Sequence, residues 1–192
     1  MTELARCVAA GGVVVFPADT VYGLGCDAGN AEAVRRLYEL KGRPREKPAA
    51  VLWGSLAEAL ADLPELGPRT RAALGALLPG PVTLLVPNPA RRFPLAGGEA
   101  LGLRVPVAPV ALPGPLLQSS ANAAGGPDAR RLADVPSAIR AGADLVIDGG
   151  ELPGTPSTVI DLTGYEGDGG WRVVRPGALG ASEVAARLPS FA

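Results

Sequence analysis

The sequence predicts an α/β (α+β) domain: a twisted mixed sheet with flanking helices around a positive concave cavity. Three observations point to the sheet and its helices. Short runs rich in Val and Leu recur along the chain, each bounded by Gly or Pro. Amphipathic stretches with capping residues alternate irregularly with those runs, the pattern of a mixed rather than a doubly wound sheet. The 192 residues carry no internal repeat and no dividing linker, so residues 1–192 read as one domain at about 150 residues per domain. The cavity is implied by a family resemblance set out below.

Val13-Val14-Val15-Phe16, held between Gly11-Gly12 and Pro17, reads as a buried strand. Asn30 caps a helix over 31–40 with Val34, Leu37 and Tyr38 on one face. A second strand is expected over 49–53. Ser55-Leu56-Ala57-Glu58 has the spacing of a capping box and starts a helix to about 63. A helix over 68–78 stops at Pro79-Gly80-Pro81, and a strand follows at 82–86. Further strands are expected at 101–105, 116–119, 144–147, 158–162 and 171–174, with helices at 137–142 and 181–188.

Composition removes whole classes of function. With 47% apolar residues the chain offsets its ordering entropy, although 26 Gly and 20 Pro bring many turns. It contains no His, which excludes Ser-His-Asp and Cys-His catalysis and His-ligated zinc. Two cysteines, Cys7 and Cys26, are too few for a zinc site or a disulfide scaffold and fit a reducing cytosol. Glu3 and the lack of a cationic leader argue against a signal peptide. The uncharged stretches 72–90 and 105–127 are broken by prolines such as Pro79, Pro81, Pro109 and Pro113, so neither can span a membrane. A soluble, cytoplasmic protein without membrane contact is expected.

Net charge is −1, so no global field draws the chain to nucleic acid. The cations are unevenly placed. The only two lysines, Lys41 and Lys47, flank Arg43 and Arg45 in one proline-stiffened loop. That loop reads either as a solvated turn or as a grip for a triphosphate, with Lys as a point charge and Arg as a fork. Gly23-Leu24-Gly25-Cys26-Asp27-Ala28 matches a dinucleotide fingerprint in letters, but the helix after it starts too late. No phosphate-binding G-x-x-x-x-G-K-[ST] loop is present. Ser119-Ser120-Ala121-Asn122, Pro156-Ser157-Thr158 and Arg175-Pro176-Gly177 are ordinary turn strings when taken singly.

Taken in order, seven strings resemble the threonylcarbamoyl-AMP synthase family, the YrdC-like proteins. They are Phe16-Pro17-Ala18-Asp19-Thr20-Val21-Tyr22-Gly23-Leu24-Gly25, Lys41-Gly42-Arg43-Pro44 with Pro48, and Pro79-Gly80-Pro81-Val82-Thr83. Then follow Leu103-Arg104-Val105-Pro106, Ser120-Ala121-Asn122, Ser157-Thr158-Val159-Ile160-Asp161 and Arg175-Pro176-Gly177. The resemblance implies the cavity and a nucleotidyltransferase reaction in which L-threonine, bicarbonate and ATP give threonylcarbamoyl-AMP and pyrophosphate. Magnesium would accompany ATP, with no metal held by the protein. The product would pass to the threonylcarbamoyl-transferase complex that modifies tRNA, with little direct tRNA contact.

The resemblance also assigns roles. Lys41, Arg43, Ser120 and Asn122 fall on the catalytic set, and Lys41, Arg43, Lys47, Asn122 and Arg175 on the ATP contacts. Thr20, Leu52, Arg104, Ser120 and Ser157 fall on the threonine contacts, Leu52 as an apolar wall where many members carry His. Departures are Ala18 for the family's usual Thr, Lys47 for a smaller polar residue, a short 107–114 segment, and an end soon after the synthase core. Two other readings remain: a YrdC-like paralogue acting on another carbamate, and an RNA-binding module without synthase activity.

Overall fold

The structure, a computed structural model, describes residues 1–44, 46–107 and 112–190. Arg45 of the basic loop and residues 108–111 of the short segment lie outside them. Among the described residues one mixed sheet contains β1 (Val14–Pro17), β2 (Tyr22–Asp27), β3 (Ala50–Leu52), β4 (Val82–Pro87) and β5 (Ala100–Arg104). It continues with β6 (Leu116–Ser120), β7 (Leu145–Val146), β8 (Thr158–Asp161) and β9 (Arg172–Arg175). The spatial order is β7-β1-β2-β6-β3-β5-β4-β8-β9. β1–β7, β3–β5 and β4–β8 are parallel pairs and the others antiparallel, so the sheet is mixed as expected.

The helices are α1 (Glu3–Ala9), α2 (Ala31–Lys41), α3 (Leu56–Asp62), α4 (Pro68–Leu77), α5 (Ser137–Gly142), α6 (Tyr165–Asp168) and α7 (Ala181–Arg187). Their starts follow capping chemistry. Asn30 Oδ1 accepts from Glu32 N at 3.1 Å and Ala33 N at 3.0 Å, and Ser55 Oγ accepts from Glu58 N at 3.2 Å. Pro68 opens α4 at a position whose N–H would have no helical partner.

Strand alternation divides the sheet into two unlike faces. Val82, Leu84 and Val86 of β4, Leu101 and Leu103 of β5, Leu117 of β6 and Ile160 of β8 point into the large core. There they join Leu37 and Tyr38 of α2 and Leu74 and Leu77 of α4. The opposite face is covered at one end, where Leu4 and Val8 of α1 meet Val14, Phe16, Ala18 and Leu116. Beyond that cover its side chains turn small or polar, and the sheet is left concave and open.

Three elements depart from the sequence expectation: α1, α6 and, above all, β2. The glycine string that mimics a dinucleotide fingerprint is itself a strand between β1 and β6. A Cβ on Gly25 would stand 2.9 Å from Phe16 Cε1, and one on Gly23 would stand 2.8 Å from Ala18 Cβ. These glycines let a phenylalanine ring lie flat on the neighbouring strand; they are not a phosphate loop.

Candidate active site

A cavity of about 310 Å³ opens on the concave face. Its walls come from the polar side of five strands and the loops beside them: Ala50, Thr83, Leu85, Gly102, Arg104, Gln118, Ser120 and Val159, with Thr20, Arg43, Asp128, Ser157 and Arg175. Six of the sequence-predicted residues therefore meet here: Thr20, Arg43, Arg104, Ser120, Ser157 and Arg175.

Arg104 ends β5 on the cavity side and is 4% exposed. Its Nη1 donates to Gln118 Oε1 at 2.8 Å and its Nη2 to Ala18 O at 3.3 Å. Two of its five N–H groups are thus used, and Nε is buried with no partner among the described residues. Burial pulls its pKa down to about 10; Asp19 opposes that shift and Arg175 adds to it. The turn that supplies Ala18 O is tight: Thr20 N donates back to Ala18 O at 3.0 Å, with Asp19 at φ +76°. Such a three-residue turn is strained and rare. It places Thr20 on the cavity wall, where Oγ1 is buried and unpaired among the described residues. A neighbouring atom, Asp19 Oδ2, is unpaired in the same sense.

Lys41 is the last residue of α2. Gly42 at φ +61° ends the helix, with Gly42 N donating to Glu39 O at 3.0 Å and Arg43 N to Tyr38 O at 2.9 Å. That left-handed cap turns the chain so that Arg43 reaches the cavity while Lys41 stays inside. Lys41 Nζ donates to Ser120 O at 2.6 Å, Asn122 O at 3.0 Å and Asn122 Oδ1 at 2.5 Å, and lies 3.3 Å from Ser120 Oγ. Ser120 Oγ donates to Asn122 Oδ1 at 2.7 Å. Burial is the main cause, with Arg43 beside it, that lowers the Lys41 pKa to about 8, while Asp128 pulls it back up. Arg43 Nη2 donates to Pro48 O at 2.5 Å, and its guanidinium stands 6.0 Å from the Tyr38 ring.

Ser157 lies at the start of β8, 4% exposed, with its hydroxyl 2.9 Å from Thr83 Oγ1. Arg175, at the end of β9, donates through Nη2 to Ser157 O at 2.7 Å and Ser157 Oγ at 3.3 Å.

Four expected site residues do not line the cavity. Lys41 and Asn122 sit behind Ser120 and hold it in place. Lys47 is exposed, with its carbonyl accepting from Tyr38 Oη at 2.9 Å. Leu52 does not line the cavity: it is fully buried in register with Leu116 and Arg104, and the apolar lining is Ala50, Leu85 and Val159 among others. Thr83, Gln118 and Asp128 were missed. For Thr83 and Gln118 the signal was present in the strands, where they stand next to the core residues Leu84 and Leu117; Asp128 lies outside the strands and had no such signal. Among the described residues no group of three or more His, Cys, Asp or Glu could hold a metal.

A family model, the Sua5–YciO–YrdC model described as telomere recombination, matches residues 6–177. A protein of Stutzerimonas stutzeri (strain A1501) named threonylcarbamoyl-AMP synthase is 38% identical over 186 residues, covering 91% of this chain and 95% of its own length. Among solved structures, P. abyssi Sua5 complexed with L-threonine superposes with a TM-score of 0.81 at 30% identity over 96% of this chain. This chain spans only 56% of that longer protein. E. coli YciO superposes with a TM-score of 0.76 at 27% identity, over 91% of this chain and 87% of its own. The strings that resembled a family in the sequence, the folded sheet and these matches agree: the chain belongs to the Sua5–YciO–YrdC family.

Proposed function

We propose that the protein is a threonylcarbamoyl-AMP synthase, a nucleotidyltransferase that condenses L-threonine, bicarbonate and ATP to threonylcarbamoyl-AMP and pyrophosphate. The observation that carries this reading is the polarity gradient of the cavity. The buried Arg104 Nε and Thr20 Oγ1 on its wall have no protein partner among the described residues, while Arg43 on the same lining is half-buried and Arg175 exposed. A small α-amino acid fits the first pair and a polyphosphate the second.

Three N–H groups of Arg104 are left to take the threonine carboxylate, in the forked geometry that suits a guanidinium. The carboxylate is thereby fixed in a site with little water, where a charge-assisted bond is stronger. The threonine amine then joins the carbon of bicarbonate and water leaves, giving a carbamate whose oxygen already carries negative charge. That oxygen attacks the α-phosphorus of ATP, and the bond to pyrophosphate breaks. No histidine base is needed for such a nucleophile; positioning and charge neutralisation carry the step. Arg43 and Arg175 face the triphosphate, and Lys41 acts from behind by fixing Ser120 and Asn122.

The donor set does not fit a metal held by the protein, because Asp128 is the one carboxylate lining the cavity among the described residues. Magnesium is therefore part of the nucleotide substrate, where it offsets phosphate charge. The product is an activated acyl adenylate, to be consumed by the threonylcarbamoyl-transferase complex acting on tRNA. Among the described residues no helix is long and apolar enough to cross a membrane.

The test is pyrophosphate release from ATP, L-threonine and bicarbonate, with each omitted in turn. Release that requires all three is expected. Undiminished release without threonine, with carbamoyl phosphate as an effective replacement, would move the protein to a paralogous reaction. No release, with salt-sensitive RNA binding instead, would make it a binding module.

A further inference from the structure

We infer that Thr83 is a positioning residue for Ser157, and that their paired hydroxyls form one unit that presents a single O–H to the threonine side chain. The inference rests on the synthase reading and refines it, since it says what distinguishes threonine from an amino acid of the same shape.

The argument is a count of protons and lone pairs. Thr83 and Ser157 both line the cavity, are 8% and 4% exposed, and stand 2.9 Å apart, oxygen to oxygen. Each hydroxyl has one proton and two lone pairs. Arg175 Nη2 donates to Ser157 Oγ at 3.3 Å, so one lone pair of Ser157 is already taken. If Thr83 donates to Ser157, both lone pairs of Ser157 are filled, and its own proton has no protein acceptor among the described residues. If Ser157 donates to Thr83, the Thr83 proton is the one left over. In both arrangements one proton is used inside the pair and one faces the cavity.

A unit of this kind offers a donor at a fixed place and needs an acceptor oxygen there. The hydroxyl of threonine supplies one. Valine, with a methyl group at that place, leaves the O–H desolvated and unpaired, which is where such pockets gain their selectivity. Thr83 sets the geometry: β4 pairs in parallel with β8, so the Thr83 backbone is fixed beside Val159, two residues from Ser157. Its methyl group faces Gly102 of β5, 3.5 Å from where a Cβ there would stand, and its Oγ1 is directed at Ser157. Without Thr83 Oγ1 the Ser157 hydroxyl is oriented only by the 3.3 Å contact from Arg175 Nη2.

The experiment compares kcat/KM for threonine and for valine in wild type, Thr83→Val and Thr83→Ser, at saturating ATP and bicarbonate, and measures the ATP KM of each. Thr83→Val is expected to reduce the preference for threonine by about ten-fold or more while the ATP KM stays as in wild type. Thr83→Ser keeps the hydroxyl and is expected to keep the preference within about three-fold. A Thr83→Val variant that slows both amino acids equally, or that raises the ATP KM in step, overturns the inference and leaves Thr83 a packing residue. Should Thr83→Val not fold, Thr83→Ala is read by the same criteria. Wild type that releases no pyrophosphate from threonine overturns the synthase reading itself, and this inference with it.

Discussion

Burial acts in the same direction on Arg104 of the cavity wall and on Lys41 behind it, but only one of them can change charge near neutrality. Arg104 keeps its proton at any working pH, because a pKa of about 10 is far above it. Lys41, at about 8, does not. As pH rises through 8 the Lys41 ammonium loses its charge, the grip on Ser120 and Asn122 loosens, and attraction for a triphosphate falls. The ATP KM is therefore expected to rise above about pH 8 in wild type, and a Lys41→Met variant should show a high KM with no such limb. The effect is distinct from unfolding. A lysine whose folded pKa lies below its unfolded value of 10.5 costs stability while charged, and that cost fades between pH 8 and 10.5. Melting curves across the same pH range separate the two: a Tm that drops together with affinity would contradict the assignment. Lys41 could be singled out in the sequence because the chain uses lysine only twice. Its position could not, since lining the cavity and bracing it from behind differ by one turn of chain at Gly42.

Elements that bring a functional group to the cavity depend on contacts made far away in sequence. Thr158 of β8 is fully buried; its Oγ1 donates to Leu179 O at 2.7 Å and accepts from Leu179 N at 2.9 Å. This double bond ties the segment after β9 to β8 and so fixes both Ser157 and Arg175. The same segment is pressed close: a Cβ on Gly177 would come 2.3 Å from Pro156 O. Replacing Thr158 by Val keeps the shape but leaves two backbone groups unpaired, which costs about 2 kcal/mol. Thermal denaturation should show a loss of roughly 4–8 °C for a chain of this size. An unchanged Tm would mean that the segment is held by something else. Elements with local signals were legible: α2 and α3 by their caps, α4 by the Pro79 stop, β4 and β5 by their apolar runs. α1 was not, because only Leu4 and Val8 mark its buried side. α6 is four residues long and depends on Glu166 accepting from Thr70 N at 2.9 Å, a contact across 96 residues. β2 was not expected, because its glycines carry no apolar run and match a phosphate-binding string in letters, although the late helix start already excluded that reading.

At the scale of the whole molecule, one detail of arrangement is prominent. The three buried side-chain atoms that lack a partner among the described residues belong to Asp19, Thr20 and Arg104, of which Thr20 and Arg104 line the cavity and Asp19 adjoins Thr20. Among the described residues the other buried side-chain nitrogens and oxygens have partners, so the unmet demand is local to this place. Composition alone could not show this, because a net charge of −1 averages the cations of the cavity with acidic residues spread over the surface.

The two-faced sheet has a further consequence, for how the chain tolerates change. Along β4, β5 and β6, neighbouring residues answer to different selective demands. Truncating Leu84, Leu101, Leu103 or Leu117 empties the core and costs about 2–5 kcal/mol, which lowers the amount of folded protein. Altering Thr83 or Gln118, one step away, is expected to leave the core intact and to spoil the cavity lining. A saturation scan that scores cellular abundance and pyrophosphate release separately should thus show the two losses alternating residue by residue, out of phase, along each strand. Losses of abundance at both sets alike would show that the concave face is needed for folding as well. If they do alternate, the protein can be made sturdier from one side of its sheet without touching its chemistry, and retuned for another amino acid from the other without endangering its fold.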